Sequence, residues 1–203
     1  MRFLILSFLL FNINNLFADV FRKVEVNDVM DFDIEGIHLG ELVTEHFSIS
    51  YIANHTRENY YDAYKDPYRF TTIAVEGAEY TQNWELVEVT FDSKNLVIHA
   101  VTGGNFYDSN FDKCYNDLNR LAVFVEKIYP EAPFQGPLES FHQVDPYQES
   151  TFTHQDFFLN NGTVSIHCYD WSKRFSNQYG WTDNIQLQVR SNQLNDYINN
   201  DLK

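Results

Sequence analysis

The sequence predicts an α+β domain: an antiparallel sheet of about six strands with a long helix packed on one face, in the order αβββ-αβββ-α. Three observations carry this. Apolar residues alternate with Glu88 and Thr90 in Trp84–Phe91, and the turn residues Asp92-Ser93-Lys94-Asn95 join that run to a second β-rich run, Leu96–Val101. Phe111, Cys114, Tyr115, Leu118, Leu121, Ala122, Val125 and Ile128 then recur at helical spacing until Pro130. Two further β-rich runs, Thr151–Leu159 and Thr163–Trp171, flank Asn160-Asn161-Gly162, where Asn-Gly is a strong hairpin signal. Sequential hairpins favour an antiparallel sheet, and a hairpin and a helix with one apolar face each pack together.

The chain opens with Arg2, an apolar run from Phe3 to Phe11 and Leu16-Phe17-Ala18 before Asp19, the three parts of a secretory signal peptide. The expected organisation is a signal peptide over 1–18 and one α+β domain over 19–203, periplasmic or secreted. Asp31, Asp33 and Glu35 alternate with Phe32 and Ile34 as a short strand, Gly36 and Gly40 mark turns, and Glu41–Phe47 reads as a short helix. Residues 48–68 read as irregular and rich in tyrosine, followed by a strand over Arg69–Glu76. Ser109, three residues before Asp112, is placed to cap the long helix. The proline-rich stretch Pro130–Tyr147 reads as a crossover loop and Ser172–Thr182 as a polar, aromatic loop. Asn184–Arg190 alternates as a last strand, and Ser191 caps a closing helix through Leu194, Tyr197 and Ile198. The two αβββ halves suggest a pseudo-repeat in topology without a residue-level repeat.

Charge narrows the function classes. The formal net charge is −15, and loss of Arg2 with the signal peptide makes it −16. Such a chain repels phosphate backbones and anionic membrane surfaces, which excludes nucleic acid as a partner. It attracts cations, so the partners left open are a cationic or amphipathic protein, or a small ligand. Beyond the leader no segment approaches membrane-spanning length, so no membrane insertion is expected. Cys114 and Cys168 are the only cysteines, and in an exported protein a single disulfide between them is the default.

No metal or cofactor site is expected. The seven histidines lack His-x-x-x-His spacing on a helix. Asp108-x-Asn110-x-Asp112 copies the start of a calcium loop, but Lys113 replaces its glycine and Asn119 its bidentate glutamate. Neither a Gly-x-Ser-x-Gly elbow nor a phosphate-binding glycine fingerprint is present. What remains is aromatic. Tyr60, Tyr61 and Tyr64 lie in one irregular stretch, with Trp171, Tyr179 and Trp181 around another. Exposed tyrosine and tryptophan bring amphipathic contact area at low entropic cost, so these six are the candidate binding residues; the alternative is that they cover sheet edges. Asp170 beside Trp171, and Asp183 after Trp181, could hold a carbohydrate by stacking and hydrogen bonds. The expected function is a non-enzymatic binding or protein-interaction module, the alternative a small extracytoplasmic hydrolase using paired carboxylates.

Asp33-Ile34-Glu35-Gly36-Ile37-His38-Leu39-Gly40, Cys114-Tyr115, Cys168-Tyr169-Asp170-Trp171-Ser172 and the ending Asn195-Asp196-Tyr197-Ile198-Asn199-Asn200 together resemble a family of small exported proteins of marine alphaproteobacteria. The resemblance implies export. It supplies no catalytic residue, ligand or cofactor.

Overall fold

The computed structural model describes residues 28–58, 60–76, 81–107 and 111–201. The expected signal peptide at 1–18, the Ser109 cap, and Asp108 and Asn110 of the calcium-loop-like pattern lie outside them. Among the described residues the chain is α+β, with a seven-stranded antiparallel sheet, a small two-stranded hairpin and five α-helices.

A 3-10 turn at Val29–Asp31, capped by the Asp28 side chain, leads into the hairpin of β1 (Asp33–Ile34) and β2 (Ile37–His38). Its two-residue turn needs positive φ at Glu35 and Gly36, 56° and 74°, the primed geometry that glycine favours. Helix α1 (Val43–His46) follows, then α2 (Ile49–His55). The second helix corrects the irregular reading of 48–68. It buries no residue and so leaves no apolar stripe in the sequence; the Ser48 hydroxyl starts it by accepting from the Tyr51 amide.

Strands β3 (Phe70–Glu76), β4 (Leu86–Asp92) and β5 (Ile98–Phe106) form a meander. The Asp92 carboxylate closes its second turn by accepting from the amides of Lys94 and Asn95. Helix α3 (Phe111–Ile128) spans the sheet as expected. Next comes β6 (Phe134–Phe141), where the sequence suggested a crossover loop. It is an edge strand beside β7, and its register shifts between Gln135 and Leu138, around Pro137. Proline lacks the amide a central strand requires, so such a strand is confined to an edge.

Strands β7 (Thr151–Leu159), β8 (Gly162–Asp170) and β9 (Asn184–Ser191) form a second meander. The hairpin turn is Asn160-Asn161, not Asn161-Gly162. Gly162 is the first residue of β8, where a Cβ would collide with the Arg190 carbonyl oxygen. Helix α4 (Lys173–Tyr179) replaces the expected loop after β8, capped by Ser172 and stopped by Gly180 in the left-handed region. Helix α5 (Asn192–Asn200) closes the chain on the Ser191 cap.

The sheet order is β3-β4-β5-β9-β8-β7-β6, so the two meanders meet at the β5–β9 pair. Ile73, Val89, Val101, Val189, Val164 and Phe157 stand opposite one another across six strands, all buried. Cys114, Leu118, Ala122 and Val125 of α3 pack in the same core. The other face is polar except at one end, where Leu194 and Tyr197 of α5 rest with Tyr61 on Phe70 and Ala100. On the apolar face α3 lies over β7, β8 and β9 and residues 29–47 complete the core, while α5 covers part of the other face. Cys114 and Cys168 form the expected disulfide, tying α3 to β8.

Reducing this bridge frees a loop spanning 54 residues in sequence. In the chain-entropy model that costs about 4 kcal/mol, so denaturant unfolding with and without reductant should show a loss of that order. A difference below about 1 kcal/mol would show that apolar packing alone holds α3 to the sheet.

Candidate functional site

Register places the polar face in rows. One row runs Thr72, Thr90, Ala100, Arg190, Thr163; the next Glu88, Thr102, Gln188, Ser165, Asp156; a third brings His167 opposite His154. Gln188 donates to the Thr102 hydroxyl at 2.9 Å, stitching the two meanders on this side. Solvent reaches the floor, because the side chains of Glu88, His154, His167 and Asp156 keep between 16 and 22 % of their surface.

Arg190 stands at the centre. Its strand neighbours are Ala100 and Thr163, neither of which offers a charge. Its Nε is buried without a hydrogen-bond partner, and it forms no ion pair within 4.0 Å among the described residues. Both acids of the second row are engaged elsewhere. Glu88 binds Arg57 Nε at 2.7 Å. Asp156 faces His154 Nε2 at 3.6 Å and His167 Nε2 at 3.9 Å. Burial pushes the Arg190 guanidinium below its ordinary range, partly countered by Asp156 and the surrounding tyrosines.

Four tyrosines lie within electrostatic reach of Arg190: Tyr60, Tyr61, Tyr64 and Tyr169. Burial raises all four phenols, Tyr169 to about 12, so each keeps its proton at neutral pH. Half of the Tyr60 surface is open, and its hydroxyl interacts with Glu88. Tyr61 accepts from the Thr72 hydroxyl at 3.4 Å and also meets the Thr90 hydroxyl. Tyr169 meets His167 Nδ1 at 2.9 Å.

Burial raises the Glu88 carboxyl, partly offset by Arg57 and Tyr60. Burial would also raise Asp156, but His167, Ser165 and His154 outweigh it and hold the carboxyl below the usual range. Burial lowers His167 against the pull of Asp156, so its ring is neutral at pH 7, with Nε2–H toward Asp156 and Nδ1 left to accept from Tyr169. Among the described residues no group of His, Cys, Asp and Glu is arranged to hold a metal ion.

The sequence-derived candidates divide between two places. Tyr60, Tyr61 and Tyr64 touch in series, with ring centroids 5.0 and 5.6 Å apart, at the Phe70–Ala100 end of the face and within electrostatic reach of Arg190. Tyr60 and Tyr61 also border a cleft of about 440 Å³ beside β3. Trp171 and Trp181 meet edge to face at 4.6 Å in a separate cleft of about 640 Å³, with Asp170, Lys173, Asn177 and Asp183. Asp183 accepts from the Trp171 amide at 2.8 Å. Burial, Asp183 and Glu139 raise the Asp170 carboxyl. Trp171 is buried among Tyr169, His142 and Phe175, so Trp181 is the tryptophan a ligand can reach. Tyr179 packs on Phe175 at 4.5 Å and does not line that cleft. Tyr169 joins the two places, stacking on Trp171 at 5.7 Å while lying within reach of Tyr60.

Arg190, Tyr169, His167, Asp156 and Glu88 escaped sequence reasoning. Their signal was the polar half of each alternation: Ser165, His167 and Tyr169 on β8, and Gln186, Gln188 and Arg190 on β9, carry long functional side chains where a solvated face would be filled by Lys and Glu. No protein-family model, curated protein or solved structure matches this chain.

His99, His142 and His167 are each held low by burial. A histidine whose folded pKa is depressed takes up its proton more readily when unfolded, so stability is lost as pH falls from the unfolded value of about 6.5. Asp156, also depressed, acts in the same direction at lower pH. The melting temperature should fall between pH 7.5 and about 5, and His167→Gln should flatten that slope. An unchanged slope in the variant would mean that His167 takes up its proton without cost.

Proposed function

We propose that this chain is an exported, non-enzymatic binding domain whose site is the polar sheet face around Arg190. The carrying observation is the unpaired arginine. A buried cation is stable when paired, and this one stands among tyrosines while the acids of the face are bound to other partners. Of the partner classes that composition leaves open, a small ligand fits best, because Arg190 repels a cation at the centre of the site. Export is supported by the disulfide, which belongs to an oxidising compartment, and by the leader-like N-terminus. Among the described residues no helix is long and apolar enough to cross a membrane.

The chemistry of this face favours holding over turnover. Glu88 and Asp156 share a row but are separated by four strand spacings, roughly 19 Å, well beyond the roughly 5–9.5 Å of paired-carboxylate catalysis. Tyr169, raised to about 12, is a proton-bearing phenol and no nucleophile. The hydrolase reading has its own observation elsewhere: Asp170 and Asp183 flank the Tyr169–Asn184 pair on neighbouring strands beside an exposed tryptophan, and Asp170 is raised. That pair could divide acid and base roles.

A thermal-shift panel of small acids, amines and sugars decides between the two. Binding at the polar face predicts at least one stabilising compound whose shift is lost in the Tyr60→Phe, Tyr61→Phe, Tyr169→Phe triple variant, with circular dichroism unchanged. Turnover of an ester, peptide or glycoside that vanishes in Asp170→Asn would replace this reading with the hydrolase.

A further inference from the structure

We propose that Arg190 is the docking point for a carboxylate monoanion with a small apolar body, which the tyrosine loop holds against the sheet. This inference rests on the binding reading above and names the class of ligand.

The argument begins with what Arg190 lacks. A guanidinium presents five N–H donors in a planar fork, the match for the two oxygens of a carboxylate. On this face it meets no carboxylate at ion-pair distance among the described residues, and its buried Nε meets no hydrogen-bond acceptor. The row of Arg190 holds threonine and alanine, so nothing in its own row can pair with it. Glu88 cannot turn to it without abandoning Arg57 at 2.7 Å, which would leave a second cation unpaired. Asp156 faces the two histidines and attracts Arg190 from beyond ion-pair distance. The opening in the charge pattern is therefore for an anion from outside.

The surroundings narrow that anion. Tyr61 and Tyr64 lie in ring contact with each other and within electrostatic reach of the guanidinium, so protonated phenols stand near the fork. A carboxylate that accepts from arginine and phenol together is held in one orientation. The rings of Tyr60 and Tyr64 offer apolar surface on one side and the stacked Tyr169 and Phe152 on the other, 5.9 Å apart from each other, which suits an aromatic or aliphatic body. Net charge selects against higher anions. The whole chain carries −15, and Glu88 and Asp156 flank the site, so a dianionic phosphate meets more repulsion than a monoanion while gaining only one arginine.

The test uses the intact protein with benzoate, benzamide and inorganic phosphate as probes, read by the Arg Nε–H signal in ¹⁵N-labelled protein. Arg190→Lys assigns that signal, since it removes the fork and keeps the charge. Benzoate should shift the Arg190 signal, benzamide should not, and phosphate should bind at least about tenfold more weakly than benzoate. Arg190→Gln should weaken benzoate by about tenfold or more, with Arg190→Lys between the two. Should Arg190→Gln fail to fold, the shift of the native Arg190 signal still decides. Equal binding of benzoate and benzamide, both lost in the triple tyrosine variant, would leave the binding face standing and overturn the carboxylate assignment. Stronger binding of phosphate would overturn it in favour of a phosphoryl group. An unmoved Arg190 signal with all three probes would overturn it outright, whatever the compound panel finds at the tyrosines.

Discussion

The pairing of β5 with β9 is the constraint on which the rest of this molecule depends. Each meander is assembled from sequence-local hairpins, but only this non-local ladder joins them into one sheet. Its register sets Val101 against Val189 on the side of α3 and Thr102 against Gln188 on the other. A slip by one residue would turn Val189 to the polar face and Arg190 into the core beneath α3. The cost of moving that guanidinium from a solvent-reached polar face into a wholly apolar core keeps the register unique.

The two faces then meet different needs. The apolar one is closed by α3 together with residues 29–47 and locked by the Cys114–Cys168 bridge, which supplies stability independent of the charged face. That leaves the polar face free to carry groups that do not help the fold. Glu88 is half-buried and raised, Arg190 is half-buried and lowered, and His167 is half-buried and neutral. Perturbed groups cluster where a protein spends stability on recognition or chemistry, and here they occupy one continuous surface. Helix α5 and the tyrosine loop cover that surface only at the end where Phe70 and Ala100 interrupt its polarity.

The tyrosines show how one residue type serves both ends. Tyr197 and Tyr61 are buried against Phe70, and Tyr64 stacks on Tyr197 at 4.8 Å, which fixes the loop to the sheet. Tyr60, one residue from Tyr61, leaves half its surface open above Glu88. The loop is thus anchored by its apolar rings and presents its hydroxyls to the polar floor, the division of labour that makes tyrosine common at binding surfaces.

Local chemistry alone determined most of the elements. Alternation marked β4, β5, β7, β8 and β9, apolar spacing marked α3, and Ser191 marked α5, because each signal acts within a few residues. The disulfide was legible because two cysteines admit one pairing. Elements without an apolar stripe were missed: α2 buries nothing, α4 is seven residues long, and β6 is an exposed edge carrying Pro137. The aromatic candidates were visible as types, and Tyr60, Tyr61 and Tyr64 do gather at one place. What only the tertiary structure decided is why they gather. Glu88, Asp156, His167 and Arg190 are spread over four strands and about a hundred residues of chain, and strand order alone brings them to one surface. Whether a charge is paired depends on its neighbours across the ladder, and those neighbours are set by non-local register that no local pattern encodes.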